Sequence, residues 1–318
     1  MALFNVNTLI KELRLGIGMS QAKLAEGICS RETISKIENG ERKPDWYISQ
    51  NVLLRLGIKL EQLQSETMTM LSESESHIVK KRDECQQALS TYNLDALKAI
   101  LDGMANDKHF QKGATGRGYS IYLKYKASLH MYGQYKDPEK CRDYAIEYIK
   151  INRPDFDINK LTSYFLSQDE LLVLNLAAVA YAEIDGIDRA LEIWFMLKET
   201  YERQFDAGVH ENPRYRELVI NICVSLKKAE RYEECLEFAE KGLVTAITYH
   251  DMRIYILCLY QKAYSLIKLG RMDEGKELYK KFLMFTYVVD GFASFSFDLA
   301  KKEYEETFGC TFETTGLW

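Results

Sequence analysis

An all-α fold is predicted by three observations. Only 4 of the 318 residues are proline and 18 are glycine. The prolines (Pro44, Pro138, Pro154, Pro213) sit at polar or glycine-containing joints, so the long runs between them keep apolar residues at helical spacing without breakers. From residue 77 onward those runs recur at intervals of 40 to 49 residues. The length suits about two domains, and 47% hydrophobic with 28% charged residues is the composition of a folded chain.

The first domain is read over 1–66 as short helices. Val6, Leu9, Ile10 and Leu13 share one face of the first. Ser20 caps a second that carries Ala22, Leu24 and Ala25. Gly27-Ile28-Cys29 makes a tight turn, and Ser30 caps a third helix with Ile34 and Ile37 facing inward. Asn39-Gly40 ends it, as residues that tolerate the left-handed region do. Pro44-Asp45 starts a fourth helix through Val52, Leu53 and Leu56, and Leu60–Leu63 belong to a fifth. Serine-rich TMTMLSESES, 67–76, reads as the linker to a second domain over 77–318.

That second domain repeats. NLDALKAIL, DPEKCRDYAIEYI, GIDRALEIWFML, RYEECLEFAEKGL and RMDEGKELYKKFL each lead with a small residue: Ala96, Cys141, Ala190, Cys235 and Gly275. Four residues later stand Ile100, Ala145, Trp194, Ala239 and Tyr279. Twelve before the last four small residues come Leu129, Ala178, Cys223 and Ala263, and nine before come Tyr132, Tyr181, Leu226 and Leu266. Small residues are needed where antiparallel helices approach closely, and large ones fill the groove beside them. The pattern resembles the tetratricopeptide repeat, with periods longer than the usual ~34 residues. The expected body is a right-handed α-solenoid of about five degenerate tetratricopeptide-like helix pairs, which presents a concave binding surface.

Charge divides with the domains. The chain carries −5 in all, yet residues 1–60 hold nine Lys/Arg against six Asp/Glu. The overall charge taken alone argues against a nucleic-acid partner, but a slightly basic head on an acidic body sets the two domains apart. Seven cysteines, an odd number without a CxxC, fit reduced thiols rather than a disulfide framework. The start lacks an uninterrupted apolar segment, and LLVLNLAAVAYAEI, 171–184, is too short to span a bilayer. A cytoplasmic location is expected.

MSQAKLAEGICSRETISKIENGERKPDW, 19–46, resembles the helix-turn-helix of lambda-repressor-like, Cro-type DNA-binding domains, with Gln21, Leu24-Ala25, Gly27, Ile34, Ile37-Glu38 and Gly40 in place. With Ile34 and Ile37 inward, Arg31, Glu32, Ser35 and Lys36 turn outward on the recognition helix. Arg31 is suited to guanine and Glu32 to a cytosine amino group. Thr33 is suited to a thymine methyl or a phosphate, and Ser30 stands at the helix start. Gln21, Lys36, Arg42 and Lys43 are the expected phosphate contacts. Arg14 and Glu38 match positions that the resemblance implies pair with each other structurally. The head's modest charge limits affinity for phosphate, so a homodimer on a twofold-related operator is expected.

A Cro-type head before a degenerate tetratricopeptide body resembles the layout of the RRNPP group of Gram-positive, peptide-pheromone-responsive regulators, and GICS-x-x-x-IS-x-IE-x-G, 27–40, looks most like its PlcR branch. The resemblance implies a short imported signalling peptide held in the concave groove. An extended peptide needs its backbone satisfied, which Asn and Gln do as donor and acceptor at once. Lys126, Asn175, Asn221 and Gln261 precede the small landmark by two or three residues in four successive repeats, and Tyr122 and Tyr264 are candidate pocket walls. Lys126 suits a terminal carboxylate.

No cofactor or metal site is read. The histidines (His77, His109, His130, His210, His250) are scattered, GATGRG at 113–118 lacks the end of a phosphate loop and reads as a hinge, and Glu233-Glu234 and Glu305-Glu306 fit surface salt bridges. No enzyme class is supported. The alternatives are a helix-turn-helix regulator whose repeats dock a protein or only oligomerise, and a scaffold with a vestigial head.

Overall fold

The computed structural model describes residues 6–58, 73–114, 117–288 and 297–312. Among these, every regular element is helical. They fall into two compact units, 1–184 and 185–318.

The first unit begins with α1 (Val6–Gly16), α2 (Gln21–Ala25), α3 (Arg31–Glu38) and α4 (Trp46–Arg55). Serines set the second and third helices: Ser20 Oγ accepts from Lys23 N–H and Ser30 Oγ from Thr33 N–H. Asp45 caps α4 by accepting from Ile48 N–H. Ile10, Leu24, Ile34, Ile37, Val52 and Leu53 form the core of this bundle. The fifth helix expected at Leu60–Leu63 lies outside the described residues.

The same unit continues with α5 (Glu73–Ser90), α6 (Leu94–Ala105), α7 (Gly118–Leu129), α8 (Pro138–Asn152) and α9 (Gln168–Ile184). Of the linker expected over 67–76, residues 73–76 belong to α5 and residues 67–72 lie outside the described set. The head shares one compact unit with the first repeats.

The second unit holds α10 (Ile187–Phe205), α11 (Pro213–Lys228), α12 (Tyr232–Thr248), α13 (Met252–Lys268), α14 (Met272–Val288) and α15 (Phe297–Phe308). Consecutive helices of this unit pack against one another, and α11 also packs on α13. The third predicted pair, α9 and α10, is divided between the units.

The small landmarks stand where helices meet. Cys141, Ala178, Ala190, Cys223, Cys235 and Ala263 are fully buried, as are Ala145 and Ala239 one turn after two of them. At Gly275 a Cβ would lie 2.6 Å from the Ile267 side chain and 3.1 Å from the Ala263 carbonyl, so only glycine lets α14 approach α13 so closely. The register lapses in the first two pairs. Ala96 is half-buried while Leu97 takes the core, and Tyr132 falls beyond α7 and is exposed. Of GATGRG, residues 115–116 lie outside the described residues; at its last residue a Cβ on Gly118 would strike the His109 carbonyl, so Gly118 sits in a tight packing joint.

Candidate nucleic-acid interface and groove

The recognition face is built on α3. Ile34 and Ile37 are fully buried, which turns Arg31, Glu32 and Lys36 to solvent and leaves Thr33 and Ser35 half-exposed. Glu32 and Lys36 pair at 2.7 Å one turn apart. Each holds the other's charge: the Lys36 bond keeps the Glu32 carboxyl below its ordinary value, and Glu32 raises the Lys36 ammonium. Ser30 spends its hydroxyl on the cap and on Thr33 Oγ1 at 3.0 Å, which fixes the helix start beside Arg31. Arg42 and Lys43 are exposed beyond the α3 C-terminus.

Behind this face Arg14 Nε and Nη2 donate to both Glu38 oxygens at 2.5 and 2.8 Å, and Arg14 Nη1 donates to the Met19 carbonyl. The Gln21 amide also donates to Glu38, at 2.8 Å. Gln21 thus ties α2 to the α1–α3 pair, a bond the phosphate reading alone did not contain. Burial pushes the Glu38 carboxyl up, but Arg14 and Gln21 outweigh it and hold the acid below its ordinary range.

The opposite flank of the head, around the Gly27 turn, sits on the first repeats. Arg153 lies over it: Nε reaches Glu170 Oε1 at 3.1 Å, Nη1 reaches Glu26 Oε1 at 3.4 Å, and Nη2 donates to the Phe165 carbonyl. Glu26 Oε1 also accepts from Phe165 N–H at 3.0 Å, and the fully buried Glu170 accepts from Ser167 N–H at 2.7 Å. Gly27 has φ +71°, and a Cβ there would run into Arg153 and Glu170. Arg117, the residue before α7, donates to the Ile28 carbonyl and lies 3.4 Å from the centroid of the Tyr47 ring. Arg55 closes α2 by donating to the Lys23, Leu24 and Glu26 carbonyls and stacks on Phe165 at 4.4 Å. Burial pushes Arg55 down to about 10 and raises the Glu170 carboxyl. For Glu26, burial is outweighed by Phe165 N–H, Lys23 and Arg153, which hold its carboxyl low. Sequence reasoning assigned none of Arg55, Arg117, Arg153 and Glu170. The hydrogen bonds of the three arginines to the head span 29 to 127 residues of chain, and no local pattern announces them.

The predicted peptide residues divide by unit. In the first, Tyr122 and Lys126 lie on α7, with the Lys126 ammonium 5.8 Å from the Tyr122 ring and 5.6 Å from the Tyr144 ring; burial lowers its pKa. Asn175 is half-buried on α9. In the second unit Asn221 is half-buried on α11, and the Tyr264 ring on α13 lies tilted against Tyr260 and Tyr232 with the Lys227 ammonium 4.7 Å from it. Gln261 departs from expectation. It is 1% exposed, with an Oε1 that finds no partner among the described residues, because α13 is walled in by α11, α12 and α14. It belongs to the core rather than to a groove. A cavity of about 200 Å³ in this unit is lined by Lys198, Glu202, Tyr215, Arg216, Phe238 and Lys241 and by none of the predicted peptide residues.

The histidines are not all scattered either. His77 Nε2 stands 2.6 Å from Asp107 Oδ2, and His109 Nδ1 stands 2.8 Å from Asp107 Oδ1. No helix among the described residues is long and apolar enough to cross a membrane.

Residues 10–63 match the helix-turn-helix family model. The head carries a helix-turn-helix domain. Over the whole chain the structure is similar to Bacillus thuringiensis PlcR, solved in complex with the peptide PapR7 and DNA, at 18% identity and a TM-score of 0.53, covering 95% of this chain and 99% of that one. The Streptococcus dysgalactiae SHP pheromone receptor Rgg2 aligns at 16% identity and 0.45, over 95% and 99% of the two chains. The apo competence regulator ComR from Streptococcus vestibularis aligns at 15% and 0.46, over 96% and 98%. No curated protein sequence matches significantly. The likeness to PlcR assigns the fold: an all-α chain with a helix-turn-helix head and a helical-repeat body.

Proposed function

We propose that this protein is a cytoplasmic transcription regulator of the RRNPP type. It binds operator DNA as a homodimer through α3 and is switched by a short imported peptide held against the first helices of the repeats. The observation that carries the reading is an outward Arg31 on a capped recognition helix whose head is seated on a repeat body of the PlcR fold. The seating also supports a switch. Arg117 stands at the start of α7 and Glu170 in the first turn of α9, and the same two helices carry Tyr122, Lys126 and Asn175 further along. Lys124 and Asp169 join them at 2.7 Å. A peptide lying on α7 and α9 therefore touches the helices whose first turns hold the head.

The test is calorimetric titration of the full chain with short synthetic peptides from reading frames beside its gene, followed by operator binding with and without the peptide. The full chain is required, because removing the head would uncover Arg153 and Glu170. Saturable binding, weakened by Asn175→Ala and accompanied by altered operator affinity, is expected. The burial of Gln261 favours the second reading, a regulator whose repeats dock a protein or only oligomerise; operator binding indifferent to every peptide would select it.

A further inference from the structure

The chain brings two imidazoles and a carboxylate together from two segments. His77 lies in the first turns of α5, while Asp107 caps the short 3-10 turn Lys108–Phe110 that follows α6 and His109 lies within it. One nitrogen of each imidazole and an Asp107 carboxylate oxygen all lie within 4.8 Å of one another, with His77 Nε2 and His109 Nδ1 facing the carboxylate. Their side chains are 37%, 30% and 25% exposed, so an ion can enter from solvent and keep water on its open side.

The scaffold under these atoms is fixed. Asp107 Oδ1 accepts from His109 N–H at 2.9 Å, and Phe110 N–H donates to the Asp107 carbonyl. Phe110 is 1% exposed, which anchors the turn. The glycine that opens α7 lets that helix lie against the His109 carbonyl, where any side chain would collide. The His77 ring stands edge-on to Phe110 at 5.8 Å and to His109 at 5.4 Å. Ligands whose rotamers are locked by packing and hydrogen bonds lose little on binding.

We propose that His77, Asp107 and His109 form a binding site for a divalent transition-metal ion of the zinc class, completed by water. Two imidazole nitrogens and one carboxylate oxygen are the donor set such ions take, at roughly 2.0–2.2 Å from the metal. Without metal, the carboxylate bridges the two rings by hydrogen bonds. With it, each ring turns its lone pair to the ion, and the nitrogen-bound protons move to the far nitrogens or to water. The ion pins the start of the body to the connection between α6 and α7. This site is independent of the DNA and peptide readings.

The full chain, stripped with a chelator, is titrated with Zn²⁺ in competition with a chromophoric indicator, and separately with Co²⁺ followed by visible absorption. One zinc per chain is expected. His77→Ala and His109→Ala should each weaken it by at least about tenfold, as should Asp107→Asn, which keeps an oxygen for the His109 N–H. The cobalt form should show ligand-field bands without sulfur-to-metal charge transfer. That spectrum is read on the unaltered chain, so the test stands even where a variant folds poorly. Absence of stoichiometric binding, binding unchanged in both histidine variants, or a thiolate band that assigns the ion to cysteines would each overturn the proposal.

Discussion

On the α3 face of the head, Glu32 and Lys36 are exposed and pair with each other one turn apart. Around the Gly27 turn, Glu26 and Arg55 instead meet Arg153, Glu170 and Phe165, which lie far along the chain. The two regions are separated by a few residues of sequence and differ in what their charges do. Exposed pairs contribute little to stability and can be exchanged for a phosphate or a base. A buried network contributes orientation, and breaking it from one side strands a charge. The head is thus a surface kept available on one flank and a surface committed on the other.

The comparison breaks most sharply at Arg153. Arg153→Ala leaves Glu170 buried without its partner and should cost about 3–5 kcal/mol, read as a lower urea midpoint of the full chain. Gly27→Ala follows. It places a Cβ at φ +71° and against the docked side chains, and should cost on the order of 1–3 kcal/mol, seen as a lower urea midpoint.

Acidification should loosen the committed flank through Glu26. Its folded carboxyl is held low, so its stabilisation is full above the unfolded value of about 4.3 and fades as pH falls through the folded one. Thermal midpoints followed below about pH 4 should drop less steeply in Glu26→Gln than in the unaltered chain, from a lower neutral value. The smallest effect belongs to the available flank. Lys36→Ala should leave the thermal midpoint in place and lower the slope of log affinity against log salt by about 1 on operator DNA.

The same contrast explains what the sequence disclosed. Ser30, Ile34, Ile37 and Gly40 act within one or two turns of themselves, and local spacing is enough to place them on a helix-turn-helix. Gly27 was legible as a turn, but its second reason, the approach of Arg153 and Glu170, comes from residues more than a hundred positions away. In the body, Gly275, Cys235 and Ala263 were legible because helix packing repeats with the chain. Gln261 shares their register, yet its burial depends on three neighbouring helices that no register encodes. His77 and Asp107 lie 30 residues apart and meet because α5 and α6 fold back on each other.

Operator selection with the full chain tests the reading of α3 most directly. Duplexes are enriched from a random pool by the unaltered protein, and their affinities for it and for Arg31→Ala are then compared by fluorescence anisotropy. A shared, twofold-related sequence is expected, with a loss of about 1–3 kcal/mol in Arg31→Ala and an unchanged melting temperature. A pool that yields no preferred sequence, or an Arg31→Ala chain that binds it as tightly, would contradict the assignment of α3 as the reading helix.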